Sequence, residues 1–183
     1  MEIRLQTNLA ILPKVTTTMS KPTKYYSSIQ ENAIAKFLGW KVVSGSGARD
    51  LSPGDIIGES FLGECKTHTR PIYKVVFFAD VWKKICEEAS SRFKYPALFV
   101  DDGTQYIENT WVVTFPHCIN TTKCTKYKLP VSVDVNISFD PEYLASIVNY
   151  INSNYNTFTA FCAQFADTDV VIMRLLDFRE VMN

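Results

Sequence analysis

Residues 44–68 read SGSGARDLSPGDIIGESFLGECKTH, a Gly-rich loop followed by two short aliphatic runs. A turn leads into the first run at Asp55, and the second run ends in Glu64-Cys65-Lys66. Because a short Gly-containing segment separates the two runs, we expect them to pair as a β-hairpin. This hairpin brings acidic and basic side chains from two strands into one place.

The hairpin predicts a metal site. Alternate side chains of a strand share a face, so Glu64 and Lys66 should project together while Cys65 points into the core. Asp55 can then lie beside Glu64, and two close carboxylates repel each other unless a cation lies between them. Such oxygen ligands, with the Cys65 carbonyl as another, suit Mg²⁺, and Mn²⁺ can replace it. Lys66 can orient a water or offset charge on a phosphate, so the set suffices for phosphodiester hydrolysis. The plainer alternative is a surface hairpin with an ordinary Glu-Lys pair.

Helical and strand patterns surround the hairpin. Ser28 and Glu31 have capping-box spacing, which predicts a helix from Ser28 to Gly39 with Ile29, Ala33 and Phe37 on its buried face and Ile34 as a further candidate. Further helices are predicted over about 76–92, from Asp140-Pro141 onwards and at 175–181, and strands at 40–43, 53–57, 62–66, 95–100, 105–115, 129–139 and 169–173. The sequence therefore predicts a single α/β domain over 1–183 with a mixed central sheet flanked by helices. Its core should cover about 25–115, with a strand–helix–strand extension over about 128–183.

Composition excludes several classes of protein. With 183 residues and 46% hydrophobic content, the chain can bury a substantial core. It has no apolar run of about 18 residues, so we expect no membrane span, and its N-terminus does not resemble a signal peptide. Five scattered cysteines do not predict a disulfide framework, which favours the cytoplasm. His117, Cys118 and Cys124 lack the paired spacing of a zinc site.

The net charge is zero, but the charge is segregated. Residues 1–49 carry +5, 50–64 carry −4, 66–94 carry +4 and 95–183 carry −5. Two basic segments therefore flank a short acidic one, a pattern that suits a polyanion surface around a metal centre. Lysines that merely solvate helix faces would give the same pattern.

The segment GSGARDLSPGDII followed by GECKTH resembles the PD-(D/E)XK nuclease superfamily, and within it the archaeal-type Holliday junction resolvases and related phage proteins. Those proteins place a helical Glu before a strand, then a Gly/Ser loop, the Asp and the E-x-K. The resemblance covers about residues 25–100, and Gly54 departs from it by standing where the family name has proline, with Pro53 one place earlier. The matching positions are Glu31, the loop Ser44–Gly47, Asp55, Glu64 and Lys66.

The resemblance implies a restriction-endonuclease-like fold and a Mg²⁺-dependent endodeoxyribonuclease acting on branched or Holliday-junction recombination DNA. It also implies a homodimer, since a four-way junction presents two symmetric cuts, in the cytoplasm of a bacterium or a phage-infected host cell. Two alternatives remain. One is a restriction-type or host-DNA-degrading nuclease with the same centre, and the other is a non-catalytic DNA-binding or assembly protein that keeps the fold.

Several further residues are candidates for the site. Glu31 either caps its helix or, as the resemblance implies, acts as a catalytic residue that reaches the metal site directly or through water. Asp50 precedes a turn, where an Asx role is expected. Residues that could contact DNA phosphates are Ser46 and Arg49 in the Gly-rich loop, and His68, Arg70 and Lys74 after the hairpin. For these the alternatives are a plain turn and a solvated surface.

Overall fold

The computed structural model describes residues 21–44, 53–130 and 135–182. No helix among them is long and apolar enough to span a bilayer. In chain order the elements are α1 (Thr23–Leu38), β1 (Lys41–Val42), β2 (Ile56–Ile57), β3 (Phe61–Lys66), β4 (Val75–Phe77), α2 (Ala79–Ser90), β5 (Tyr95–Val100), β6 (Trp111–Thr114), β7 (Cys124–Lys128), β8 (Ile137–Phe139), α3 (Pro141–Tyr155), β9 (Phe158–Phe165), β10 (Thr168–Arg174) and α4 (Leu175–Val181).

Eight strands form the central sheet, in the order β1-β2-β3-β5-β6-β10-β9-β7. The pairs β3–β5 and β7–β9 are parallel, and the other neighbours are antiparallel. Strands β4 and β8 form a separate antiparallel ribbon. The predicted α/β class with a mixed central sheet is therefore confirmed.

Helices cover both faces of the sheet. Alternate residues of one strand belong to two different core clusters: Leu98 lies with residues of α2 and α3, whereas Phe99 lies with residues of α1 and α4. Since alternate side chains point to opposite faces, α2 and α3 cover one face and α1 and α4 the other. Helices α1 and α2 thus approach the β2–β3 hairpin from opposite sides.

Helix α1 differs from its prediction at its beginning. Its N-cap is Pro22 and no side chain caps it, so it begins before Ser28, and Glu31 lies in the middle of a 16-residue helix. The capping-box interpretation of Glu31 is therefore wrong. The sequence Thr-Lys-Tyr-Tyr contains no helix breaker, and proline is tolerated at a helix start. Ile34 is buried, as predicted, but the other buried residues are Gln30, Ala35 and Leu38, and Ile29 is 40% exposed. Gly39 ends the helix at φ +73°, as predicted.

Helices α3 and α4 are confirmed, and Asp140 caps α3 by accepting hydrogen bonds from two backbone N–H groups. Helix α2 begins only at Ala79, because the residues before it form β4. The predicted strand over 129–139 is wrong in extent: β7 ends before Leu129 and β8 covers only Ile137–Phe139, with 131–134 outside the described residues. Strands β4, β7 and β9 were not predicted, and β10, β9 and β7 complete the sheet that contains β3.

Candidate active site

Five residues predicted for the site line one cleft of about 570 Å³ where α1, the β2–β3 hairpin and α2 meet. They are Glu31, Asp55, Glu64, Cys65 and Lys66. The cleft is also lined by residues that the sequence analysis did not select, namely Thr23, Lys24, Ser27, Ser28, Gly54, Thr67 and Lys84. The structure therefore brings these five predicted residues together, and residues of α1 and α2 form two further walls of the cleft.

The hairpin places Asp55 beside Glu64. The backbone N–H of Asp55 donates to the Gly63 carbonyl at 2.8 Å, which extends the antiparallel pairing of β2 with β3 by one residue. The Asp55 carboxylate accepts a hydrogen bond from the Cys65 N–H, with 2.8 Å between Oδ2 and N. The carboxylate is thus fixed against the strand that carries Glu64 and Lys66.

The conformation of Gly54 shows why this position, directly before Asp55, does not carry the proline that the name PD-(D/E)XK gives there. Its φ is +69°, and a Cβ added there would lie 2.8 Å from the Leu62 side chain. Its N–H also donates to Glu88 Oε2 on α2 at 3.0 Å. Proline has no N–H and a φ fixed near −65°, so it could neither adopt this turn nor make the bond to α2. The residue before Asp55 therefore anchors the turn to α2.

Glu64 and Lys66 share a face of β3, as predicted. The Lys66 Nζ lies 2.5 Å from Glu64 Oε1, and Glu64 is buried while the Lys66 side chain is 44% exposed. Cys65 between them is buried in the core on the α1 side. The Lys66 carbonyl accepts a hydrogen bond from Gln30 Nε2 at 2.9 Å, which ties the end of β3 to α1.

Acidic groups repel one another across the cleft. Burial, and then the charge of Glu64, raise the pKa of Asp55 above its usual value. Burial, and then the charges of Asp55 and Glu64, raise the pKa of Glu31. Burial lowers the pKa of Lys66, but the attraction of Glu64 outweighs it, so the pKa is raised overall. The raised pKa favours the charged form of Lys66, whereas the raised pKa values of Asp55 and Glu31 disfavour the charged forms of those two carboxylates.

The donor set fits a cation that takes only part of its ligands from the protein. Among the described residues, no three His, Cys, Asp or Glu side chains are grouped so that they could hold a metal ion together. Asp55 and Glu64 are the pair available, and Mg²⁺ commonly binds to one or two carboxylates, with waters and phosphate oxygens completing its shell. Glu31 acts on this pair through its charge and does not complete a three-carboxylate set.

The remaining predicted DNA contacts fall into two groups. Ser46 and Arg49 fall outside the described residues, as does Asp50. His68, Arg70 and Lys74 are described but do not line the cleft. His68 and Arg70 pack against Gly103, where an added Cβ would lie 2.2 Å from the Arg70 carbonyl oxygen.

The α1 residues that line the cleft could have been recognised from their spacing in the sequence. Lys24, Ser27, Ser28 and Glu31 are spaced i, i+3, i+4 and i+7, which places polar residues on one helical face. A helix start assigned to Ser28 removed Lys24 and Ser27 from that face. Lys84 lies one turn before Glu88 on α2, on the side that reaches Gly54.

Asp55→Asn is expected to raise the melting temperature of the metal-free protein and to remove stabilisation by Mg²⁺. Because the pKa of Asp55 is raised in the folded state, the protein loses stability as the pH rises from the unfolded-state pKa of this group through its folded-state pKa, and Asn removes that loss. Mg²⁺ at about 100 times its Kd should stabilise the wild type by about 2.7 kcal/mol, or roughly 5–10 °C for a chain of this size. The measurement is thermal unfolding with EDTA and with Mg²⁺.

The control for this prediction is Asp169→Asn, which changes an exposed carboxylate on β10. It should keep the Mg²⁺-dependent shift of the wild type. An equal Mg²⁺ shift in the Asp55 variant and the wild type would show that Asp55 does not hold the cation.

Comparison with known proteins gives no relative from which to transfer a function. No protein-family model matches the chain, and no curated protein or solved structure does either. The function must therefore be inferred from the residues that meet in the cleft.

Proposed function

We propose that this chain is a Mg²⁺-dependent endodeoxyribonuclease of the PD-(D/E)XK type, with Asp55, Glu64 and Lys66 at its catalytic centre. The observation that carries the proposal is the meeting of these three side chains in one cleft, with Glu31 also lining it. A purely structural hairpin has no need for two neighbouring carboxylates, and the pKa of Asp55 is raised first by burial and then by the charge of Glu64.

Each residue has a defined role in this proposal. Asp55 and Glu64 would hold Mg²⁺, with the Cys65 carbonyl as a further oxygen ligand. The cation, when bound, supplies a water of lowered pKa and positive charge for the phosphate oxygens. Lys66, already charged and held by Glu64, orients the attacking water or offsets the charge that grows on the scissile phosphate. Glu31 adds a carboxylate that can act on the attacking water.

The arrangement of elements supports a restriction-endonuclease-like fold. Helix α1 carries Glu31, and β1 precedes the loop and the hairpin that carries Asp55, Glu64 and Lys66. This is the order that the resemblance requires. Strand β5 then returns parallel to β3 after α2, so the motif strand lies inside the sheet and not at its edge.

The proposal also includes branched recombination DNA as the substrate, a homodimer as the assembly and the cytoplasm as the location. The resemblance supports the substrate and the homodimer. The five cysteines are all free in the structure, which fits a reducing compartment.

The proposal is tested by incubating the chain with four-way-junction, linear duplex and plasmid DNA, each with Mg²⁺ and with EDTA. We expect cleavage with Mg²⁺, strongest on the junction, and none with EDTA. Equal cleavage of all three substrates would favour a degradative or restriction-type nuclease. Metal-independent cleavage, or binding without cleavage of any substrate, would overturn the assignment as a metal nuclease.

A further inference from the structure

Helix α1 presents a polar wall to the candidate active site. Thr23, Lys24, Ser27 and Ser28 all line the cleft, on the same helical face as Glu31. Lys24 is close enough to Glu31 that its charge acts on that carboxylate. The wall therefore combines one ammonium group with short hydroxyl side chains, beginning next to the catalytic residues.

Helix α2 supplies a second cation from the other side of the sheet. Lys84 lines the same cleft, and its charge acts on Asp55. Its partner is Glu88, at 3.5 Å, in a pair whose lysine side chain is 61% exposed. Such an exposed pair contributes little to stability. Lys84 can therefore exchange this partner for a phosphate at small cost.

The chemistry of the lining favours backbone contacts over base contacts. Among the described residues, the lining contains no Arg, Asn or Gln, whose planar groups bind base edges with two hydrogen bonds, and no aromatic side chain that could stack on a base. Its ammonium and hydroxyl groups are of the kinds that bind phosphate and sugar oxygens. The described part of the cleft is therefore better suited to contacts with a nucleic-acid backbone than to stacking on bases.

We propose that Lys24 on α1 and Lys84 on α2 form a phosphate clamp, each binding a phosphate beside the scissile one, so that the cleft holds DNA without reading its bases. This inference depends on the proposed nuclease function and specifies how its substrate is held. The clamp assigns the phosphate contacts to Lys24 and Lys84 in place of Arg70 and Lys74, which lie outside the cleft lining.

The test is the salt dependence of DNA affinity, measured with Ca²⁺ in place of Mg²⁺. Each phosphate contact contributes about 0.7–0.9 to the slope of log K against log salt. Lys24→Gln and Lys84→Gln should each lower the magnitude of that slope by about this amount, and the double variant by about twice as much, with no change in base preference. Combined removal of Arg70 and Lys74 should change it less.

Two neighbouring lysines serve as matched controls. Lys36 lies in the last turn of α1, and Lys83 pairs with Asp167 at 3.7 Å outside the cleft lining. Lys36→Gln and Lys83→Gln should leave the slope at the wild-type value. In one outcome, the wild type cleaves DNA while Lys24→Gln and Lys84→Gln have the same salt slope as the wild type and the two controls. That result would overturn the clamp and leave the nuclease function standing. If the wild type neither binds nor cleaves DNA, both proposals fall.

Discussion

Asp55→Asn and Glu64→Gln are each expected to abolish Mg²⁺-dependent DNA cleavage while leaving the fold intact. Both changes keep side-chain size and hydrogen-bonding ability, so the bond from the Cys65 N–H can persist, but each removes one of two carboxylate ligands. A bound metal supplies several kcal/mol of transition-state stabilisation, and each 1.36 kcal/mol is tenfold in rate. We therefore expect a loss of roughly 1,000-fold or more, measured by single-turnover cleavage with saturating enzyme.

The matched control is Glu59→Gln, which removes an exposed carboxylate from the turn of the same hairpin. This variant should cleave as the wild type does. Circular dichroism and thermal unfolding establish that the Asp55 and Glu64 variants are folded. Full activity in either folded variant would show that the carboxylate pair is not the metal site, whatever the cleft suggests.

The local part of this site could be predicted from the sequence. The positions of Glu64, Cys65 and Lys66 follow from the alternation of a strand, and the approach of Asp55 follows from a hairpin closed within a dozen residues. These relations depend on neighbours in the chain. For the same reason the bounds of β5 and the cap of α3 at Asp140 agree with their predictions.

The walls of the cleft could not be placed in the same way, because they depend on contacts between distant segments. Glu88 reaches the Gly54 N–H from 34 residues away, and Gln30 reaches the Lys66 carbonyl from 36. No periodicity within α1 or α2 indicates such partners. The error at the start of α1 had a local cause, since Ser28 and Glu31 have capping-box spacing although the helix already begins at Thr23.

The second half of the sheet was underpredicted for a similar reason. β10 pairs with β6, so that Val171 lies opposite Thr114. The alternating residues at 129–139 suggested one continuous strand, yet Leu129, Ile137 and Phe139 are buried while only the last two belong to a strand. Val135, in the same alternation, is 77% exposed. The pattern therefore predicted neither the extent of the strand nor burial along the whole segment, and it does not identify the strand that pairs with it.

Lys66→Ala is expected to slow cleavage by at least about 100-fold, the lower end of the cost of losing one electrostatic contact in the transition state, while DNA affinity stays close to that of the wild type. Lys66 shares a face with Glu64 and pairs with it, so its charge lies beside the metal ligands. There it acts on charge that grows only as the phosphate reacts. The measurement is single-turnover cleavage with Mg²⁺ beside a DNA titration with Ca²⁺.

Loss of Lys66 should also leave metal binding intact, because Asp55 and Glu64 remain and a competing cation has gone. The Mg²⁺-dependent rise in melting temperature should therefore be at least as large as in the wild type. Lys41→Ala, which removes an exposed lysine of β1, is the matched control and should change neither rate nor affinity. If affinity and rate fall together in the Lys66 variant, Lys66 is a binding residue like those of the proposed clamp. If neither falls, the Glu64–Lys66 pair is an ordinary hairpin ion pair, and the catalytic group must be sought among the other cleft residues.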